Sequence, residues 1–212
     1  MPARNRTKQY VDNGIYHVYN RGGNRQLIFR DQEDRIVFMS LLKRYLGNQT
    51  SENRDGKPFR SFQKDIDLLA FCLMPNHFHF VVRQRSAPTM ADFMQRVMTS
   101  YAMYFNRRHK RTGPLFEGPY QGRLVDDDRY LQRVIAYVHL NPEHPFEYPH
   151  SSHGLFVGKH RVDWAKSDAA LQLFGGRNRY LEFITSMHAE RRTLTGVAND
   201  DPWHPRRPGL GD

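Results

Sequence analysis

The 212-residue sequence contains a single cysteine and lacks any long apolar run. One thiol excludes an internal disulfide framework and a cysteine-rich zinc site, and Cys72 lies in a strand-like apolar segment, where we interpret it as a core residue. No segment reaches the roughly 18 uninterrupted apolar residues of a membrane-spanning helix. The first ten residues, MPARNRTKQY, lack the apolar centre of a signal peptide. These absences predict a folded cytosolic protein with no membrane partner.

Acidic residues are scarce relative to basic ones. The 32 Lys and Arg outnumber the 22 Asp and Glu, which gives a net charge of +10 and a pI near 9.9. This balance favours a polyanionic partner, and nucleic acid is the first candidate. The alternative is that the basic pI only keeps the protein soluble. The basic residues cluster in NRRHKRTG, residues 106–113, and in TKQY and NRGGNRQ near the start. The clusters are more informative than the total and point to nucleic acid.

Hydrophobic patterning predicts an alternation of strands and helices. The predicted strands cover residues 13–23, two segments within 65–84 joined at Pro75 and Asn76, and an edge or bulged strand within 113–125. The predicted helices cover residues 31–47, 87–108 and 126–142. The near-continuous apolar character of residues 65–84 predicts that both strands of this segment are central.

This order of elements is that of a ferredoxin-like split βαβ plan. We therefore predict an α+β fold, with an antiparallel sheet that carries helices on its faces and a C-terminal helical appendix. The domain prediction is a main domain over residues 1–145, an extension of loops and helices over 146–194, and a disordered tail over 195–212.

Two histidines stand two residues apart in LMPNHFHFVV, residues 73–82. Side chains alternate between the faces of a strand, so His77 and His79 point to one face. Converging imidazoles at the start of a central strand have good metal-ligand geometry. A motif this short is more often a structural or merely exposed pair, so a metal site requires a further convergent group.

The helix before Pro142 offers such a group. Beside its apolar arc, a narrow stripe carries Tyr130, Arg133, Tyr137 and Asn141. Tyr137 and Asn141 are neighbours one turn apart, so Asn141 is a candidate third ligand and Tyr137 a candidate reactive hydroxyl. The spacing equally fits an interfacial aromatic followed by a helix-ending Asn. His139 lies on the far side and is interpreted as a packing or surface residue. Four further downstream histidines are predicted to lie in loops: His144, His150, His153 and His160.

Three segments together resemble a known family. They are MPNHFHFVV at residues 74–82, the stretch from SYAMYFNRR to VHLNP at residues 100–142, and YPHSSH at residues 148–153. They resemble the REP-associated tyrosine transposases, a branch of the single-tyrosine transposases of the HUH endonuclease class. The resemblance covers most of residues 10–190. Each part is weak alone, but the combination is specific.

The resemblance implies a metal-dependent endonuclease and strand transferase that acts on single-stranded DNA with hairpin-forming repeats. It assigns His77, His79 and Asn141 to a divalent cation, Mg²⁺ or Mn²⁺. Tyr137 becomes the nucleophile that forms a 5′-phosphotyrosine, and Tyr130 is the alternative tyrosine. Residues 1–145 then form the catalytic domain. The expected protein is cytoplasmic and nucleoid-associated, as a monomer or homodimer.

The hairpin and its flank are expected to contact basic side chains. The predicted DNA-binding residues are Lys8, Arg21, Arg25, Arg107, Arg108, Lys110, Arg111 and Arg123. Glu117, the one acid in this basic stretch, is predicted to orient a ligand or to pair with an arginine. Pro119 departs from the simpler basic strand expected of the family, which leaves the contact with the hairpin stem open.

Two alternative functions remain. One is a non-catalytic protein that binds hairpins or repeats. The other is a metal phosphoesterase that uses activated water, with Tyr137 as an orienting group. The complete set of His77, His79, Tyr137 and Asn141 disfavours the first, and a covalent DNA adduct separates the second from transposition chemistry.

Overall fold

The computed structural model describes residues 10–194 except Thr50, Arg54 and Pro88, and for residues 192–194 it describes the backbone alone. Lys8 and the predicted tail at 195–212 therefore lie outside the described residues. The strands are β1 (Ile15–Arg21), β2 (Ile66–Met74), β3 (His77–Gln84) and β4 (Gln121–Val125). They form one antiparallel sheet in the order β2-β3-β1-β4.

Helices cover both faces of this sheet. The long helices are α1 (Gln32–Leu46), α2 (Thr89–Arg108), α3 (Asp128–His139) and α6 (Arg177–Leu194), and the short ones are α4 (His153–Phe156) and α5 (Ser167–Gln172). The chain order β1-α1-β2-β3-α2-β4 followed by helices confirms the ferredoxin-like α+β prediction and the helical appendix. None of the described helices is both long and apolar enough to cross a membrane.

The alternation of side chains along β3 divides the protein into two cores. Phe78 and Phe80 belong to the core under α1 and α2, where Phe38 and Phe93 are also fully buried. Val81 belongs to the opposite core, together with α3 and the C-terminal helices. His77 and His79 share the face of Val81 because residues two apart point the same way. The histidines therefore lie on the α3 side of the sheet.

Local chemistry fixes the two ends of α3. The Asp127 carboxylate caps the first turn by accepting hydrogen bonds from the Arg129 and Tyr130 amides at 3.2 and 2.9 Å. At the other end Pro142 disfavours helical backbone at Asn141, and α3 ends at His139. Asn141 therefore lies two residues beyond the end of α3 and four residues after Tyr137.

The prediction that both strands of residues 65–84 are central is wrong for β2, which lies at the edge of the sheet. Its outer edge is bonded to the C-terminal extension instead of to a fifth strand. The Leu73 amide donates to the His150 carbonyl, the Ser152 amide to Phe71, and the Lys166 amide to Leu68, at 2.8 to 2.9 Å. A covered edge strand has the same apolar pattern as a central one.

A buried polar cluster joins the extension to α3. The Tyr180 hydroxyl lies 2.8 Å from Nδ1 of His139 and 2.6 Å from Nδ1 of His153. His139 Nε2 lies 2.7 Å from the Ser152 hydroxyl. The packing role of His139 is confirmed, whereas the loop prediction for His153 is wrong because His153 begins α4.

This cluster predicts that acid loosens the C-terminal extension. Burial lowers the pKa of His139 well below its ordinary value and lowers the pKa of His150 and of His153 to about 4. Below pH 6.5 the unfolded chain takes up protons that the folded chain resists, so stability is full above pH 6.5 and is lost toward pH 4. We expect the free energy of unfolding to fall by about 2 kcal/mol for each of these histidines between pH 7 and pH 5.

Urea unfolding at the two pH values measures this loss. His153→Phe should flatten the pH dependence, while His144→Gln, at an exposed position, should leave it unchanged. Equal flattening by both variants would contradict the assignment to the buried cluster.

Candidate functional site

The two histidines of β3 lie under the C-terminal half of α3. Their ring centroids are 5.0 Å apart, and the rings are nearly perpendicular at 85°. His79 is buried, and His77 is partly exposed. The strand thus presents two imidazoles to one space, as the sequence predicts.

Tyr137 lies directly against this pair. Only 6% of its surface is exposed, and its ring meets the His79 ring edge-on at 5.4 Å. Tyr130 lies seven residues earlier, about 10 Å along the helix axis at a rise of about 1.5 Å per residue. The fold therefore brings Tyr137, and not Tyr130, to the histidines.

Asn141, just beyond the end of α3, brings its side chain to His77. Its side-chain Oδ1 lies 3.0 Å from Nε2 of His77, while Nδ1 of His77 lies 2.7 Å from Oδ1 of Asn76. A neutral imidazole has one N–H. With the proton on Nδ1, His77 donates to Asn76 and a lone pair on Nε2 faces the Asn141 oxygen, whereas with the proton on Nε2 it donates to Asn141.

In the tautomer with the proton on Nδ1, the two facing lone pairs would repel each other unless they share a cation. A separation of 3.0 Å is also that of adjacent ligands around an octahedral ion with bonds of about 2.1 Å. Within the described residues, no group of three or more His, Cys, Asp and Glu is arranged for metal binding. The donor set that fits a cation is instead two imidazoles and one amide oxygen, which suits Mg²⁺ or Mn²⁺ as well as softer ions.

His17 is a functional candidate that the sequence analysis missed. It lies on β1, is fully buried, and its Nε2 is 3.0 Å from Nδ1 of His79. Its ring also meets that of Tyr137 edge-on at 5.7 Å. The available signal was the strand segment YHVYN, in which an imidazole occupies an inward position two residues from Tyr19.

An open cavity of about 710 Å³ lies in front of the histidines. Tyr137, Tyr19, His77 and His79 line one part of it, and Arg21, Arg25 and Glu117 line another part. A second cavity of about 660 Å³ shares Arg21, Arg25 and Glu117 and adds Arg111. The two cavities form a basic groove that leads from the histidines and suits a polyanionic chain.

The predicted DNA-binding residues separate into three positions. Arg21, Arg25 and Arg111 line the groove, and Arg21 forms an ion pair with Glu117, one of the two roles predicted for that acid. This hydrogen bond lowers the pKa of Glu117. Arg107 and Lys110 are exposed at or just after the end of α2. Arg123 on β4 lies opposite His17 of β1 in the sheet register, on the α3 side of the sheet.

Arg108 has an intramolecular role. Its guanidinium bonds to Asp31, Glu33 and Asp34 at 2.7 to 2.8 Å and so joins the end of α2 to the start of α1. Burial alone would raise the pKa of Asp34, but the Arg30 amide, Arg108 and His109 together lower it. The predicted DNA contact of Arg108 stays a prediction, which this network disfavours.

Comparison with known protein families gives a match over most of the sheet-bearing part of the chain. A family model described as "Transposase IS200 like" matches residues 10–141, which include β1 to β4, α3, His17, His77, His79, Tyr137 and Asn141. The comparison with curated protein sequences found no match.

Two solved structures are similar. One is described as "Structure of the REP associates tyrosine transposase bound to a REP hairpin", with a TM-score of 0.50, 12% identity, and coverage of 77% of this chain and 92% of that chain. At this identity the match shows a shared fold. A putative transposase from Deinococcus radiodurans has a TM-score of 0.39 at 16% identity, with coverage of 61% and 92%.

Proposed function

Because the chain belongs to the IS200-like transposase family, we propose that it is a metal-dependent endonuclease and strand transferase for single-stranded DNA. The proposed nucleophile is Tyr137, and the proposed cation ligands are His77, His79 and Asn141. The observation that carries this proposal is the meeting of all four side chains, with Tyr137 against His79 and His77 against Asn141.

The chemistry follows from the hydroxyl of Tyr137. A phenol has an ordinary pKa of about 10 and is a weak nucleophile at pH 7, so attack requires that charge at the scissile phosphate be neutralised. A divalent cation bound by the two imidazoles and the amide would supply that neutralisation as a Lewis acid.

In the proposed step the Tyr137 oxygen forms a bond to phosphorus and the bond from phosphorus to the 3′ oxygen breaks. The phenol proton is released, and the departing 3′ oxygen takes up a proton. The 5′ end stays attached as a phosphotyrosine, which keeps the bond energy of the diester. A 3′ hydroxyl can then attack the phosphotyrosine and rejoin DNA without a nucleotide cofactor.

The groove in front of the site supports a DNA substrate. Arg21, Arg25 and Arg111 follow one path away from Tyr137, and guanidinium groups form bidentate bonds with phosphates. The similar structure is described as bound to a REP hairpin. We propose hairpin-bearing single-stranded DNA as the partner of this chain as well, with the protein acting as a monomer or homodimer in the nucleoid.

The test uses end-labelled hairpin single-stranded DNA taken from the repeats that flank the gene, with Mg²⁺, Mn²⁺ or EDTA, analysed on denaturing gels. The expected result is a cation-dependent covalent adduct together with a cleaved strand. Tight binding without cleavage in any cation would favour the repeat-binding alternative. Cleavage without an adduct would favour activated water.

The adjacent residues Arg107 and Arg108 give a prediction that separates structure from DNA contact. Arg108→Ala should lower the melting temperature because it leaves the fully buried Asp34 without its guanidinium partner. Arg107→Ala, at an exposed position, should stay within about 0.5 kcal/mol of the parent. Thermal unfolding of both variants measures the difference, and equal melting temperatures would contradict the role given to Arg108.

A further inference from the structure

His17 occupies a position where an apolar side chain would be expected. It faces the core under α3, between Val81 and Arg123 in the sheet register, and none of its surface is exposed. Burial of a polar group in such a core costs free energy unless a hydrogen bond offsets it. The partner found for His17 Nε2 is Nδ1 of His79, a proposed cation ligand.

The sheet register sets this contact. Tyr19 pairs directly with His79, so His17, two residues earlier on the same face, is the diagonal neighbour of His79. The imidazole planes are nearly parallel, at 19°, with centroids 5.1 Å apart. The bond is therefore built by two central strands and does not depend on a loop.

The proton shared by the two imidazoles has two arrangements. If His17 donates, His79 carries its own proton on Nε2 and offers no lone pair to the cavity. If His79 donates through Nδ1, its Nε2 is a ligand. Ligating histidines are commonly fixed in this second way by a partner at the other ring nitrogen.

We infer that His17 is a positioning residue that holds His79 in its cation-binding tautomer and ring orientation. This inference rests on the proposed function of the same site. His17 is not itself a ligand, because it is fully buried while His77, His79 and Tyr137 line the cavity. Its edge-on contact with the Tyr137 ring means that one side chain supports both the ligand and the nucleophile.

The site has a second support of the same kind. Oδ1 of Asn76 lies 2.7 Å from Nδ1 of His77 and can accept from it, as His17 is inferred to accept from Nδ1 of His79. Each imidazole of the β3 pair thus has its inner nitrogen bonded to a neighbouring polar side chain. The same proton placement on both rings leaves both Nε2 lone pairs for a cation.

Three substitutions test His17 in the full chain. His17→Gln places an amide oxygen near the original Nε2 and can still accept from His79. His17→Asn is polar but too short to reach, and His17→Leu fills the site without a polar group. Ile15→Val, on the same face of β1, controls for repacking under α3.

The measurement is Mn²⁺ affinity, read by electron paramagnetic resonance without DNA, with thermal unfolding of each variant as the folding check. We expect affinity to fall about 10- to 100-fold in His17→Asn and His17→Leu. His17→Gln and Ile15→Val should stay within about threefold of the parent. With Zn²⁺ as a diamagnetic probe, nitrogen NMR of the histidines should show His79 protonated at Nδ1 in the parent chain.

The outcomes separate this inference from the proposed function. If the parent binds Mn²⁺ and His79→Ala does not, while His17→Asn and His17→Gln bind equally well, the role of His17 is refuted and the cation site stands. If His79→Ala binds Mn²⁺ as tightly as the parent, the proposed cation site is refuted and the inference with it. Should His17→Leu fail to fold, the comparison of Gln with Asn decides.

Discussion

Tyr137→Phe is expected to abolish the covalent DNA adduct and to reduce strand cleavage by about 10⁴-fold, the scale seen when a covalent enzyme loses its nucleophile. The substitution removes one oxygen and keeps the ring that packs against His79 and His17. Folding and hairpin binding should therefore be unchanged. Denaturing gels with labelled hairpin DNA and Mn²⁺ measure the adduct, and filter binding measures the affinity.

Two other tyrosines serve as controls for this result. Tyr130→Phe, about two turns earlier on α3, should form the adduct at the parent rate. Tyr19→Phe is the more demanding control because Tyr19 lines the same cavity as Tyr137. An adduct that survives in Tyr137→Phe but disappears in Tyr19→Phe would move the nucleophile from α3 to β1. An adduct that survives in all three variants would refute the assignment of the nucleophile to Tyr137.

The second large effect concerns the cation ligands. His79→Ala is expected to reduce cleavage by about 10²- to 10³-fold, the loss typical of a group that stabilises charge in the transition state. Chelation by EDTA should reduce cleavage of the parent at least as much and add little to the variant. Hairpin affinity should stay within about threefold, because the groove arginines and not His79 contact the DNA in this proposal.

Substitutions of Asn141 sharpen the prediction. Asn141→Asp keeps an oxygen within reach of His77 and should retain cleavage, whereas Asn141→Leu should resemble His79→Ala. Single-turnover cleavage rates over a series of Mn²⁺ concentrations distinguish a lost ligand, which shifts the concentration dependence, from general damage, which lowers the plateau alone. If EDTA abolishes cleavage while both His79→Ala and Asn141→Leu remain fully active, the cation binds elsewhere.

Local signals in the sequence were sufficient for most of the secondary structure. The predicted helix at 31–47 begins and ends within one residue of α1, because Asp31 caps its first turn and Gly47 ends it. The Pro75-Asn76 turn separates β2 from β3 as predicted. Two predictions were wrong: the central position of β2, because an edge covered by distant residues leaves no local signal, and the loop at His153, which begins α4.

For the site, periodicity alone placed His77 and His79 on one face and Tyr137 beside Asn141 on one helix. The family motif linked the strand to the helix, and the ring contact of 5.4 Å and the 3.0 Å separation of His77 Nε2 from Asn141 Oδ1 agree with that link. The sequence analysis missed His17 because its partner, His79, is 62 residues away in the chain. A lone histidine in a strand has no periodic companion that would identify it.

The sequence by itself determined the elements, the family and the convergence of two imidazoles, because strand and helix periods act over a few residues. Only the tertiary structure decided which basic side chains face the groove: Arg111 lines it, whereas Arg108 is held by Asp31, Glu33 and Asp34. Only the tertiary structure brought His17 to His79. Both outcomes depend on strand register and helix packing between residues far apart in the chain, and charge or spacing along the sequence does not encode them locally.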